Sequence, residues 1–429
     1  MHLIDFGKKD FHQRVARLCQ RQLYDAAIER DVRAIIERVG REGDKALVAY
    51  AAKFDRRKVR SASEFRIKNR VRPTQIAPAL RKALADAHLN IQAFAKRGCP
   101  SGWSGSNRHG ASVGERFYPY DRVGIYVPGG TAPLVSTCLM TATLAKVAGV
   151  KEIVICSPAG STGKLHPALQ YAAELAGATE IYSIGGAQAV AAMALGTKTI
   201  RPVQKIVGPG NAYVTTAKRL LYGHVALDMV AGPSEVVILA DKSACPEQIA
   251  MDLLAQIEHG SGHERAILVT TDRTLIRQSA DALEQIARSH SRREFARSAM
   301  KKNVYAIRVP SMGQGVNVVN EIAPEHLEIH AAQAGQIARK ITRAGAIFIG
   351  SFTPEAVGDY VAGPSHVLPT GGAAASFSGL TVADFYRRTS FIQYDEKHLR
   401  KAASSILAIA EAEGLEAHGQ SVAIRLRKS

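Results

Sequence analysis

With 429 residues, 46% of them hydrophobic and 22% charged, the chain has the composition of a globular protein with room for two or three buried cores, which excludes a disordered or fibrous chain. A formal net charge of +18 would attract anionic partners, but the arginines and lysines are dispersed over residues 53–72, 292–302 and 387–401 without interleaved aromatics, so a solvated basic surface and no nucleic acid are expected. Met1 to Lys8 carries Asp5 and no apolar signal-peptide core, and no stretch of about 18 apolar residues occurs, so a cytoplasmic protein with no membrane partner is expected.

In chain order, apolar residues at helical spacing run through Phe11 to Leu23, Val32 to Val39 and Ala46 to Phe54, which predicts an N-terminal helical layer. From Arg122 the texture changes to short β-branched runs, each followed by an amphipathic stretch, the pattern of β-α-β units on a parallel sheet. The predicted strands Val123 to Val127, Glu152 to Cys156, Glu180 to Ile184 and Lys205 to Val207 alternate with helices starting near Pro133, His166, Ala187 and Asn211. A second series has strands at Glu235 to Leu239, Ala266 to Thr270, Val304 to Val309 and Ala346 to Ile349, with helices after Pro246, Thr274 and Ala334. Beyond Gly350 lies a Gly-, Pro- and Ser-rich connection as far as Gly379, then two helical stretches and a short final strand, Val422 to Leu426. A connection of that length is usually functional or crosses to another domain or subunit.

The turns Val127-Pro128-Gly129-Gly130, Ile184-Gly185-Gly186-Ala187-Gln188 and Val207-Gly208-Pro209-Gly210-Asn211 fall where a strand ends and a helix begins. Backbone amides at such a helix start can face a phosphate, and glycine permits close approach. None completes G-x-G-x-x-G with a suitably placed acidic residue, so each alone is also an ordinary connecting turn. Gln256 and His259, three apart in the helix after Pro246, share a face on which an amide oxygen and an imidazole can meet one ion; a cap or surface hydrogen bond is the plainer alternative. Asp359, His366 and His418 add loop donors of the type zinc accepts.

Pro324-Glu325-His326 sets a carboxylate beside an imidazole just before the apolar run Leu327 to Ile329. Neighbours on a strand point oppositely, so the two serve one site only at a turn, and Pro324 makes a turn there plausible; a solvated turn is the alternative. Together they would supply the two proton-transfer groups that an alcohol-to-acid conversion requires. Cys19, Cys99, Cys138, Cys156 and Cys245 show no C-x-x-C spacing and no histidine partner in an electropositive turn, so they read as reduced thiols, mostly buried, rather than nucleophiles.

These segments, in this order, closely resemble the histidinol dehydrogenase family. The resemblance rests on GIYVPGG at 124–130, SIGGAQAVAA at 183–192, KIVGPGNAYVTTAKR at 205–219, DMVAGPSEVVILAD at 228–241, DLLAQIEHG at 252–260, APEHLEI at 323–329, GDYVAGPSHVLPT at 358–370 and EGLEAHGQSVAIR at 413–425. It implies two Rossmann-like parallel-sheet α/β domains with an N-terminal helical segment and a C-terminal helical arm that crosses to a dimer partner. The corresponding division is 1–110 for the helical segment, 111–234 for the first α/β domain, 235–370 for the second and 371–429 for the arm.

Carried over by position, the resemblance implies one zinc ion per subunit held by Gln256, His259, Asp359 and His418, the last supplied across a homodimer with shared active sites. Ser234 and Glu413 would join Gln256, His259, His326, Asp359 and His418 in contacting L-histidinol, with His366 a second-tier candidate. Glu325 and His326 would be catalytic, and Tyr126, Gln188 and Asn211 would meet NAD. The implied reaction is a zinc-dependent, two-step, NAD-linked oxidation of L-histidinol through L-histidinaldehyde to L-histidine, in histidine biosynthesis. The nearest rival is a sister zinc and NAD dehydrogenase acting on another small polar alcohol; a basic nucleic-acid-binding protein on an inactive enzyme scaffold is a rival of another class.

Overall fold

The computed structural model describes residues 1–19, 25–129, 133–230, 232–258 and 262–427. Among the described residues, a first sheet holds five parallel strands in the spatial order Glu180–Tyr182, Glu152–Cys156, Arg122–Tyr126, Lys205–Val207 and Ala226–Leu227. Relative to chain order this is 3-2-1-4-5, a doubly wound unit. A second parallel sheet repeats the order with Val304–Arg308, Arg265–Thr270, Glu235–Ala240, His326–His330 and Ala346–Ile349. The two expected α/β units are therefore present and share one topology.

Alternation along the strands builds both cores. In the first unit, Val123, Ile125 and Ile155 pack toward the helices Pro78–Arg97, Val135–Val147 and Pro167–Leu175, whereas Val154, Cys156 and Ile206 face Ala26–Glu42, Gly186–Leu195 and Ala212–Leu221. In the second, Val237, Leu239, Ile267 and Ile307 meet Phe11–Cys19 and Met312–Ile322 on one side. Val236, Ile238, Ala266 and Leu268 meet Pro246–Ile257, Arg273–Ser289 and Arg293–Lys302 on the other. Strands covered on both faces read as nearly continuous apolar runs, and each fully buried aliphatic side chain contributes about 1.5–3 kcal/mol.

Helix starts follow local chemistry. The Asp25 carboxylate accepts the amides of Ala27 and Ile28, Asp272 those of Thr274 and Leu275, and Ser311 that of Gln314, while Pro78, Pro167 and Pro246 open helices at first-turn positions where no amide is needed. At the amino edge of the first sheet, the Arg122 guanidinium donates to Glu152 (2.5 Å) and Glu180 (2.7 Å), tying three strands together. Against the penalty of burial, bonds from Arg122 and Tyr182 hold the Glu180 carboxyl down at about 2.

Several elements differ from the sequence expectation. His2–Asp5 is a strand, parallel to Val304–Arg308 at the edge of the second sheet, so the first residues join the far unit. Trp103–Ser106, Ser112–Pro119 and Tyr386–Gln393 form a small antiparallel sheet, the last two pairing across more than 260 residues, a separation that no local pattern encodes. The final strand expected at Val422 to Leu426 is part of a helix, Glu416–Leu426. Gly419 of that helix lies beside Leu407 and Ala410 of the helix Glu396–Ala412, and this packing overrides the strand preference of Val422 and Ile424. The helix expected over Phe11 to Leu23 is described as Phe11–Cys19, and Gln20 to Leu23 lie outside the described residues. Among the described residues, no helix is long and apolar enough to cross a membrane.

Candidate active site

Chemistry-bearing residues gather at two sheet edges. In the first unit they lie at the carboxyl ends of the strands, as doubly wound sheets lead one to expect. A cavity of about 970 Å³ opens there, and Tyr126, Gln188 and Asn211 line it together with Ser157, Gly185 and Gly186. The Gly186 amide donates to Tyr126 Oη at 3.1 Å, and burial pushes the Tyr126 phenol up to about 12. Asn211 already caps a helix, its Oδ1 accepting the Val214 amide at 3.1 Å. Gly208 has φ +109°, and a Cβ there would fall 2.1 Å from the Tyr126 carbonyl oxygen, so only glycine fits this turn. Gly130 lies outside the described residues.

In the second unit the reactive groups sit at the opposite, amino edge. Ser234 and Glu235 lead into one strand, and Glu325 and His326 into its parallel neighbour, with His326 in register with Val236. Ser234 Oγ donates to Glu325 Oε2 at 2.5 Å, and the Glu235 amide donates to the same oxygen at 3.1 Å. His326 Nδ1 lies 3.3 Å from the Glu235 carbonyl oxygen, 3.5 Å from Glu355 Oε1 and 3.9 Å from Glu325 Oε2. His326 Nε2 lies 4.0 Å from Asp359 Oδ1, and His366 Nδ1 is 3.6 Å from the same oxygen. His366 Nε2 is 3.0 Å from Thr137 Oγ1, which links the first unit to this edge. The connection from the left-handed Ala323 through the bend at Glu325 thus brings Glu325 and His326 to one place.

Electrostatics follow from this crowding of carboxylates. Burial, with the charges of Glu235 and Asp359, pushes the Glu325 carboxyl up to about 8, against the bonds from Ser234 and the Glu235 amide. Burial and the charges of Asp359, Glu325 and Glu328 hold Glu355 well above the usual carboxylate range. One donor atom each from His326, Glu355 and Asp359 lie within 4.8 Å of one another, a group able to hold a metal ion. Gln256 is buried in the last turn of Pro246–Ile257, which runs back toward this edge. His259 and Gly260 lie outside the described residues. Glu413 and His418 are exposed, near the junction of the two C-terminal helices, and among the described residues no ion pair joins them to the other candidates.

Several buried polar groups escaped the sequence reading, although a signal for them exists. In His326-Leu327-Glu328-Ile329-His330 every second residue is polar, so one face of an entirely buried strand carries His326, Glu328 and His330. Glu355 and Asp359 stand four apart on the helix Glu355–Tyr360 and share a face. Of the cysteines, Cys138 and Cys156 are buried and burial pushes both thiols up, Cys138 to about 12; Cys19, Cys99 and Cys245 are partly exposed.

Comparison with known proteins bears on the whole chain. A family model described as histidinol dehydrogenase matches residues 19–426. The histidinol dehydrogenase of Synechococcus sp. is 45% identical over 414 residues, 95% of each chain. That of Rhizobium meliloti is 47% identical over 403 residues, covering 92% of this chain and 91% of its own. The crystal structure of histidinol dehydrogenase from Elizabethkingia anophelis superposes with a TM-score of 0.91 at 35% identity, covering 99% of this chain and 98% of its own. Family match, near-complete coverage and a shared fold lead to one conclusion: the chain belongs to the histidinol dehydrogenase family of oxidoreductases.

Proposed function

We propose that this chain oxidises L-histidinol through L-histidinaldehyde to L-histidine in two steps, with NAD as hydride acceptor and one zinc ion per subunit. The observation that carries the reading is the convergence of Glu325 and His326 on Asp359, which is contributed by a separate segment, at the amino edge of the second sheet. The donors suit a zinc site: a carboxylate oxygen of Asp359 within the compact group it forms with His326 and Glu355, and the buried amide of Gln256. In this reading Gln256, His259, Asp359 and the partner subunit's His418 hold the ion, which when bound supplies a positive charge that orients the imidazole and amino group of the substrate.

The chain's own residues then do the proton work. His326 takes the hydroxyl proton as hydride leaves the carbinol carbon, and Glu325 takes a proton from the water that adds to the aldehyde. Neutralising Asp359 removes one of the charges that raise Glu325, so the carboxylate needed as a base forms more readily in the loaded site. His326 serves again in the second oxidation. Ser234, in contact with Glu325, and Glu413 of the partner complete the substrate contacts, with His366 beside Asp359 as a further candidate.

Tyr126, Gln188 and Asn211 would meet NAD in the large cavity of the first unit, which all three line. A homodimer is supported by the exposed apolar residues Ile409, Leu415 and Ile424 of the C-terminal helices, which a second subunit would cover. The division at 1–110, 111–234, 235–370 and 371–429 and a cytoplasmic location belong to the same reading. In the deciding experiment, purified protein given histidinol and NAD yields about two NADH per substrate, while His326→Gln loses turnover and retains zinc. A yield of about one NADH, or normal turnover by the variant, overturns the reading.

A further inference from the structure

One helical turn from Gln256, the same helix carries Asp252, which faces the other end of the strand His326–His330. There His330 Nε2 lies 3.3 Å from Glu328 Oε2 and 3.6 Å from Asp252 Oδ2, and donor atoms of all three residues lie within 4.8 Å of one another. We propose that Asp252, Glu328 and His330 form a second divalent-cation site, separate from the one assigned to catalysis.

Two features of the cluster point to an ion. First, the groups are enclosed: the side chains of His330 and Glu328 are 2% and 0% exposed and that of Asp252 is 13% exposed. Among the described residues, neither ring nitrogen of His330 nor Glu328 Oε2 has a hydrogen-bond partner. Among the described residues, no lysine or arginine forms an ion pair with Asp252 or Glu328, so two enclosed carboxylates share one imidazole. Buried carboxylates are retained when they are paired or bind a metal.

Second, the spacing suits donors around an ion. Bonds of about 2.0–2.1 Å in a tetrahedron place donors about 3.3–3.4 Å apart, whereas direct N–H···O bonds cluster near 2.9 Å. The two separations from His330 Nε2, 3.3 and 3.6 Å, fall near the first value. One nitrogen and two carboxylate oxygens suit zinc or manganese, with water completing the shell from the partly exposed Asp252 side. The Glu355 amide donates to Glu328 Oε1 at 2.6 Å, fixing that carboxylate while Oε2 stays directed at the cluster.

The test uses the full chain, stripped with a chelator, reloaded with zinc or manganese, desalted and measured for metal per chain by mass spectrometry. Wild type is expected to exceed both His330→Met and Asp252→Asn by one ion per chain, with histidinol oxidation by the zinc-loaded variants within about threefold of wild type. Equal metal content in wild type and the folded variants overturns the proposal; Asp252→Asn, which keeps the shape of the side chain, decides it if His330→Met does not fold. Asp359→Asn provides a separate comparison for the catalytic ion, so the two assignments fail independently.

Discussion

Replacing Lys218 by methionine should loosen the turn that edges the large cavity. The Lys218 ammonium donates to the Gly208 carbonyl at 2.8 Å and pairs with Asp228, and the two side chains are 3% and 1% exposed. Asp228 in turn accepts the amides of Gly208 (2.7 Å) and Met229 (2.6 Å). Methionine keeps the length and removes the charge, leaving a buried carboxylate without its cation and the Gly208 carbonyl without its donor. Breaking a buried pair from one side costs about 3–5 kcal/mol, of which about 1–3 kcal/mol is what an orphaned buried polar group costs. For a protein whose whole stability is about 5–15 kcal/mol, the unfolding midpoint in urea followed by circular dichroism should fall markedly. The KM for NAD should rise more than kcat falls, because the turn carries Asn211. Lys218→Met with Asp228→Asn should lose less than the sum of the single changes, since neither partner is then left charged alone. A loss below about 1 kcal/mol for Lys218→Met, or strict additivity in the pair, would refute the clamp.

Two further outcomes are expected. Glu180→Gln should cost about 1–3 kcal/mol at pH 7, because Arg122 loses a buried partner. A carboxyl held low, at about 2 instead of 4.5, stabilises the fold above its unfolded value and loses that contribution as pH falls toward 2, so the gap between wild type and variant in urea titrations should close over that window. A gap that stays constant down to pH 2 would remove the ion pair as its cause. Ser234→Ala deletes a donor that lowers Glu325, so the acid limb of the kcat/KM profile for histidinol should move to higher pH. An unmoved limb would separate Glu325 from the titration that governs activity.

The two units share a strand order and use opposite edges. In the first, the cavity lies where strands end and helices begin, so glycine turns and helix amides face it. In the second, the buried polar side chains gather at the strand starts, and the helix Pro246–Ile257 returns its last turn to the same edge. The bridge from Thr137 through His366 to Asp359 joins them.

Much of this was legible in the residues. The central parallel strands announced themselves because they are covered on both faces and read as short apolar runs, whereas the two-residue edge strand Ala226–Leu227 carried no such signal. Glu325 and His326, read from the sequence as a pair that one site could use, lie with His326 Nδ1 3.9 Å from Glu325 Oε2. Less visible was the polar face of His326–His330, because the alternation that usually marks a solvated strand here marks a buried one. His2–Asp5 and Tyr386–Gln393 were missed because each strand acquires its partner from a distant segment and has little local signal of its own. Val422 to Leu426 went the other way: its β-branched residues favoured a strand, but it packs as a helix against Glu396–Ala412.

Local chemistry written into the chain therefore settled where strands, caps and glycine turns occur, since periodicity, side-chain capping and backbone freedom act over a few residues. Which buried carboxylates face His326 and His330, and how far that confinement raises Glu325 and Glu355, was decided only when separate segments packed together. Coulomb and desolvation energies depend on distance and enclosure in space, and neither quantity is a property of neighbours along the sequence.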